Sequence, residues 1–91
     1  MPSYLVETYL PRGDAGRRAA CERRARSAAD EQTRTGTCVR FDGAIHIPED
    51  EICFYVFDAV SGRDAALVAQ RAGLEPFRVV EAVSSREENH T

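Results

Sequence analysis

The sequence predicts a single α+β domain with the element order β-α-β-β-α-β, and three observations carry that prediction. Residues 38–47 alternate apolar and polar side chains and are followed, after Pro48-Glu49-Asp50-Glu51, by the most hydrophobic run in the chain, residues 52–57. Residues 15–35 form a proline-free stretch rich in Ala and Arg, with a stripe of small residues at helical spacing. A second apolar stretch opens on a capping signal at Ser61 and closes on Gly73. Period two marks strands and period 3.6 marks helices.

Each element follows from local chemistry. Tyr4-Leu5-Val6-Glu7-Thr8-Tyr9 is rich in β-branched and aromatic residues and reads as a strand that Pro11-Arg12-Gly13 ends. Asp14 is placed to cap the first helix, because a carboxylate there accepts unpaired amide hydrogens of the first turn. Cys21, Ala25, Ala28, Ala29 and Gln32 trace one face of that helix, and Gly36 suits the left-handed position after it. The next strand, 37–47, places Val39, Phe41, Ile45 and Ile47 in alternation with polar or small residues, and Gly43 marks a bulge or a close backbone approach. Ile52-Cys53-Phe54-Tyr55-Val56-Phe57 reads as a central strand. Ser61-Gly62-Arg63-Asp64 has capping-box spacing with Asp in place of Glu, and opens a helix through Leu67, Val68 and Ala72. Residues 77–83 form the last strand, and the polar residues 84–91 are expected to be a frayed tail beyond a domain of 1–83. The element order is that of a ferredoxin-like domain, with two helices on one face of a four-stranded antiparallel sheet.

Composition narrows the class. Hydrophobic residues at 43% and charged residues at 30% are globular rather than disordered values. No apolar run approaches the ~18–20 residues needed to span a bilayer, and the first residues lack the basic start and apolar core of a signal peptide, so a cytoplasmic protein is expected. The three cysteines are odd in number and lack C-x-x-C spacing, which argues against a disulfide scaffold or zinc knuckle. All twelve basic residues are Arg, with eight of them before residue 41 against five acids, and four after it against ten acids. The Arg residues of the first helix are interleaved with Glu22, Asp30 and Glu31, so nucleic-acid binding is not expected.

The turn at 48–51 sets the pairing of the middle strands, with Ile47 opposite Ile52, His46 opposite Cys53 and Ala44 opposite Tyr55. Strict alternation then assigns Val39, Phe41, Ile45, Ile47, Ile52, Phe54 and Val56 to the helix-covered core. It leaves Cys38, Arg40, Asp42, Ala44, His46, Cys53, Tyr55 and Phe57 on a bare face. Glu7, Val79 and Glu81 are assigned to that face as well, because an unpaired carboxylate under helices is costly. Such a face carries too much apolar surface for water, so a homodimer is expected, two sheets packing across a two-fold axis around a partly polar cavity.

The motifs Tyr4-Leu5-Val6-Glu7, Tyr9-Leu10-Pro11 and Gly36-Thr37-Cys38-Val39-Arg40, then Pro48 through Phe54, Arg71-Ala72-Gly73-Leu74 and Arg78 through Val83, span nearly all of residues 4–83. In these the chain resembles a family of short bacterial proteins of unassigned function, grouped with a small nickel-binding protein of ferredoxin-like, dimeric α/β-barrel architecture. The resemblance implies binding of nickel or a similar divalent metal through histidine and carboxylate side chains. This chain has only two histidines, His46 and His90.

Three functions compete. A binding protein would hold a metal or small ligand between dimer sheets, with His46 and Cys53 as metal donors and Glu7, Arg40, Tyr55 and Glu81 as ligand-binding groups. Glu7 and Arg40 would otherwise form an interfacial ion pair. A small enzyme of the monooxygenase or isomerase kind would use His46, Tyr55 and Glu7 as acid–base groups. A non-catalytic interaction or regulatory module would pack its interface solid.

Overall fold

The computed structural model describes residues 1–83; the tail expected over 84–91, with His90, lies outside the described residues. Seven elements follow in order: β1 (Ser3–Tyr9), α1 (Ala15–Arg34), β2 (Val39–Ile47), a 3-10 turn (Pro48–Asp50), β3 (Ile52–Ala59), α2 (Gly62–Arg71) and β4 (Pro76–Ala82). The sheet runs β2-β3-β1-β4, with every neighbouring pair antiparallel. Both helices pack on one side of it, which is the ferredoxin-like arrangement.

Both helices end in the same device. The Gly36 and Thr37 amides donate to the Thr33 and Gln32 carbonyls, and the Gly73 and Leu74 amides donate to those of Gln70 and Ala69. These paired bonds close a helix through a residue at positive φ, supplied by Gly36 (φ 109°) and Gly73 (φ 78°). At the start of α2, the Ser61 hydroxyl accepts the Asp64 amide at 3.2 Å. Asp14 occupies the corresponding position before α1, but its side chain makes no capping bond.

The pairing set by the 48–51 turn is formed: Ile47 opposes Ile52, His46 opposes Cys53 and Ala44 opposes Tyr55. The faces are not those that strict alternation assigns. The register shifts between Phe41 and Gly43, where Gly43 takes φ 141°, so Asp42 is an extra residue and the parity of β2 changes in mid-strand. Val39 and Phe41 therefore share a face with Ala44 and His46, whereas Ile45 and Ile47 turn to the other side. The core beneath the helices takes Cys53, Tyr55, Phe57 and Ala59 of β3, all buried, and leaves Ile52, Phe54 and Val56 on the uncovered face. The assignment of β4 is inverted too. Val79 pairs with Val6 and packs against the core, Val80 lies beside Leu5 on the uncovered side, and Glu81 lies beside Tyr4 on the helix side.

The physical reason lies in α1. Its buried stripe is Cys21, Ala25, Ala29 and Gln32, all but one of them small. A flat helix face of this kind leaves room that only large side chains on the sheet can fill, and Phe41, Tyr55 and Phe57 fill it. Phe41 packs 5.3 Å from Phe57 and 6.4 Å from Tyr55 between ring centroids, in tilted contacts. The Arg26 guanidinium lies 5.3 Å from the Phe41 ring centre and covers it from outside. Phe57→Ala is expected to cost about 3–5 kcal/mol in urea unfolding of dilute protein, because the cavity sits under a rigid helix. Ile45→Ala, at a residue 53% exposed, is expected to cost under about 1 kcal/mol.

Candidate functional site

Read across the strands from β2 to β4, the uncovered face is built of rows. One row is Ile47, Ile52 and Tyr9; the next is Ile45, Phe54, Glu7 and Arg78; then come Gly43, Val56, Leu5 and Val80, and finally Arg40, Asp58, Ser3 and Ala82. Its centre is apolar and its charges fall in two places.

The first is Glu7, whose carboxylate accepts a hydrogen bond from Arg78 Nε at 2.7 Å. Glu7 and Arg40 do lie on the uncovered face, as expected. Within one chain they do not meet, because β3 runs between their strands and each has its own partner.

The second is a cluster that sequence reasoning missed. Asp58 is buried, and its two carboxylate oxygens accept from the Ser3 hydroxyl at 2.7 Å and from Arg40 Nη2. Arg40 also donates from Nε to Asp42 at 3.0 Å. Burial pushes the Asp58 carboxyl up, but the hydrogen bonds from Ser3 and Arg40 and the Arg40 charge outweigh it and hold the group below the ordinary carboxylate range. Asp42 is held above that range, first by burial and then by the neighbouring Asp58 carboxylate. The signal for this cluster was present: an acid at the end of the most hydrophobic strand requires a partner, and Arg40 is its cross-strand neighbour.

The other expected site residues lie beneath or beside the helices. Tyr55 is buried, with its phenol pushed far up by burial and by contact with the Cys21 and Cys53 thiols. Cys53 is fully buried and its thiol is pushed up, chiefly by burial. His46 is its half-buried cross-strand neighbour, and His46 Nε2 is buried without a hydrogen-bond partner. Among the described residues no third His, Cys, Asp or Glu joins this pair in a group able to hold a metal ion. Glu81 stands exposed on the edge strand, so a carboxylate on the helix side carries no burial penalty there. The acid–base set of His46, Tyr55 and Glu7 is split by the sheet: two members are on the helix side and Glu7 is on the other, so they do not share a site.

The class of protein that this architecture defines is a ferredoxin-like α+β domain. The chain resembles a crystal structure of SCO4226 from Streptomyces coelicolor A3(2), with a TM-score of 0.74 over 90% of this chain and 98% of that one, at 13% sequence identity. At that identity the likeness is one of fold. No protein-family model matches the chain, and no curated protein matches it. No helix among the described residues is long and apolar enough to cross a membrane.

The Asp58 cluster yields a pH signature. A carboxyl whose folded pKa is depressed contributes stability above its unfolded pKa of about 3.9, and that stability is lost as pH falls through the folded value. Asp58→Asn is expected to lower stability by about 1–3 kcal/mol at pH 7, with the gap from the parent narrowing below about pH 3.9. The raised Asp42 carboxyl has the opposite sign, because its ionisation opposes folding at neutral pH. Asp42→Asn is expected to leave stability at pH 7 unchanged or higher. Urea unfolding of both variants between about pH 3 and 7 measures this.

Proposed function

We propose that this protein is a small-ligand-binding module that works as a homodimer, with the uncovered faces of two sheets stacked around a shared chamber. One observation carries the reading. The middle of the uncovered face is a continuous apolar surface of Leu5, Ile45, Phe54, Val56 and Val80, with Ile45 53% and Ile47 37% exposed. Surfaces of this kind are normally covered.

A second copy suits the surface because charges of both signs lie on one face. Arg40 and Arg78 have side chains 70% and 65% exposed, beside Asp42, Asp58 and Glu7. A two-fold axis can therefore bring guanidinium groups of one copy towards carboxylates of the other. Four strands about 4.8 Å apart, the shortest seven residues long, make a face of roughly 19 by 23 Å, or roughly 900 Å² for two copies before side-chain relief is counted. That lies below the roughly 1,200–2,000 Å² of stable interfaces, so the dimer is expected to dissociate in the micromolar range. Arg40 and Arg78 are the groups that would meet a polar ligand in the chamber.

Light scattering behind size exclusion tests the reading. A dimer is expected at about 100 μM, giving way to monomer at about 1 μM, and Phe54→Glu is expected to be monomeric at both with an unchanged far-UV spectrum. A monomer of the unmutated chain at about 100 μM would sink the proposal. A divalent-metal version of the reading would place the ion on His46 and Cys53, on the helix side of the sheet and apart from that chamber, and the unpartnered His46 Nε2 supports it. Nickel or zinc added to metal-free protein should then bind tighter than about millimolar, and His46→Ala should abolish that binding; weaker binding removes the metal.

A further inference from the structure

A separate cleft of about 340 Å³ opens on the helix side of the domain, where the end of β1, the first half of α1 and the connection from α2 to β4 come together. Its buried lining is supplied by Leu10, Cys21, Tyr55 and Leu74, with Thr8, whose hydroxyl donates to the Cys53 carbonyl. Tyr9 and Phe77 also line it, although they are 52% and 66% exposed. Large aromatic residues that stand in water at the edge of a hollow place their surface where a ligand could use it.

The charged groups of the cleft are Arg17, Arg24 and Glu75. Arg24 is held in place from two directions, with Nε donating to the Ala72 carbonyl at 2.8 Å and Nη2 donating to Cys21 Sγ at 3.2 Å. The first bond sets the guanidinium against the C-terminal carbonyls of α2, which favour a cation. Neither acceptor is a carboxylate, and among the described residues neither Arg17 nor Arg24 forms an ion pair. The cleft thus holds two guanidinium groups outside any ion pair, one of them pre-oriented, above a largely apolar floor.

We infer that this cleft binds a small organic monoanion, a carboxylate carrying a planar apolar body. The planar guanidinium fork matches a carboxylate, and its fixed position lowers the ordering cost of the bond. Leu10, Leu74, Tyr9 and Phe77 supply the apolar contact that the body requires. Glu75 leaves the three charged side chains with a net charge of +1, which suits one negative charge better than two. The volume is at the lower end of the roughly 300–1,000 Å³ typical of small-molecule sites. The Tyr55 phenol on the floor stays protonated, held so by burial and by the adjacent thiols. This site opens on the helix side and is distinct from the dimer chamber; the one residue they share is Tyr9, at the end of β1 in the outermost row of the uncovered face.

Backbone NMR titration tests it with three probes: phenylacetate, acetate as the same anion without the body, and phenethylamine as the same body with the opposite charge. Phenylacetate is expected to move the amides of Leu10, Cys21, Gly73 and Leu74 and to saturate below about 10 mM, with the other two probes at least about tenfold weaker. Arg17→Gln, at an exposed position outside the fold's contacts, is expected to weaken phenylacetate about tenfold. Arg24 also ties α1 to α2, so the informative change there is Arg24→Lys, which keeps the charge and removes the fork. It is expected to weaken phenylacetate about tenfold, with the unfolding midpoint measured alongside as a check on the fold. The inference is overturned if phenethylamine binds as tightly as phenylacetate, if Arg17→Gln binds phenylacetate unchanged, or if about 10 mM phenylacetate leaves those amides unmoved. Shifts confined to Ile45, Phe54 and Val56 would also overturn it, since they place the anion on the uncovered sheet face instead.

Discussion

Alanine and cysteine on the inner face of α1 set the terms for the rest of the molecule. A helix whose contact stripe is Cys21, Ala25 and Ala29 brings its backbone close to the sheet and offers almost no volume of its own. The sheet has to supply that volume, and Phe41, Tyr55 and Phe57 do so from adjacent strands. Aromatic side chains bury about 150–250 Å² each, so at about 25 cal/mol per Å² the three rings contribute roughly 10–20 kcal/mol before chain entropy is subtracted. In a chain of 91 residues, which buries a smaller share of its surface than a larger domain does, a term of that size decides which side of the sheet faces the helices.

Once the rings are committed inward, the opposite face takes what remains. Leu5, Ile45, Ile52, Phe54, Val56 and Val80 are then left without a covering layer, and charged residues gather at two places on the same surface. The buried Asp58 is tolerable there only because Ser3 and Arg40 bind both of its oxygens. The same constraint separates two chemical environments. Glu7, Arg40, Asp42 and Asp58 belong to the uncovered side, whereas His46, Cys53 and Tyr55 belong to the helix side together with Arg24 and Cys21. A function that needs members of both sets at one point has no place in a single chain of this fold.

The thiol and phenol chemistry is correspondingly muted. Cys53 and Tyr55 are kept in their neutral forms by burial, which fits packing and hydrogen-bond donation better than a nucleophilic role. Arg17 and Arg24, which form no ion pair among the described residues, stand at the rim of the cleft where α1 meets the α2–β4 connection.

Local chemistry alone determined the element order, the helix-closing glycines Gly36 and Gly73, the Ser61 cap and the pairing of β2 with β3 across the Pro48 turn, because each depends on residues near one another in the chain. Glu7 was assignable to the uncovered face on the cost of burying its charge. Which face of β3 points inward was not decided locally, since Ile52, Phe54 and Val56 are as apolar as Cys53, Tyr55 and Phe57. Two tertiary facts decided it: the extra residue Asp42 beside Gly43 reverses the alternation of β2 half-way along, and the small-residue face of α1 accepts rings and not branched aliphatics alone. The placement of His46, Cys53, Tyr55 and Glu81 followed from those facts. Parity in a strand is a local pattern only until a bulge intervenes, and beyond it the packing partner alone fixes the side.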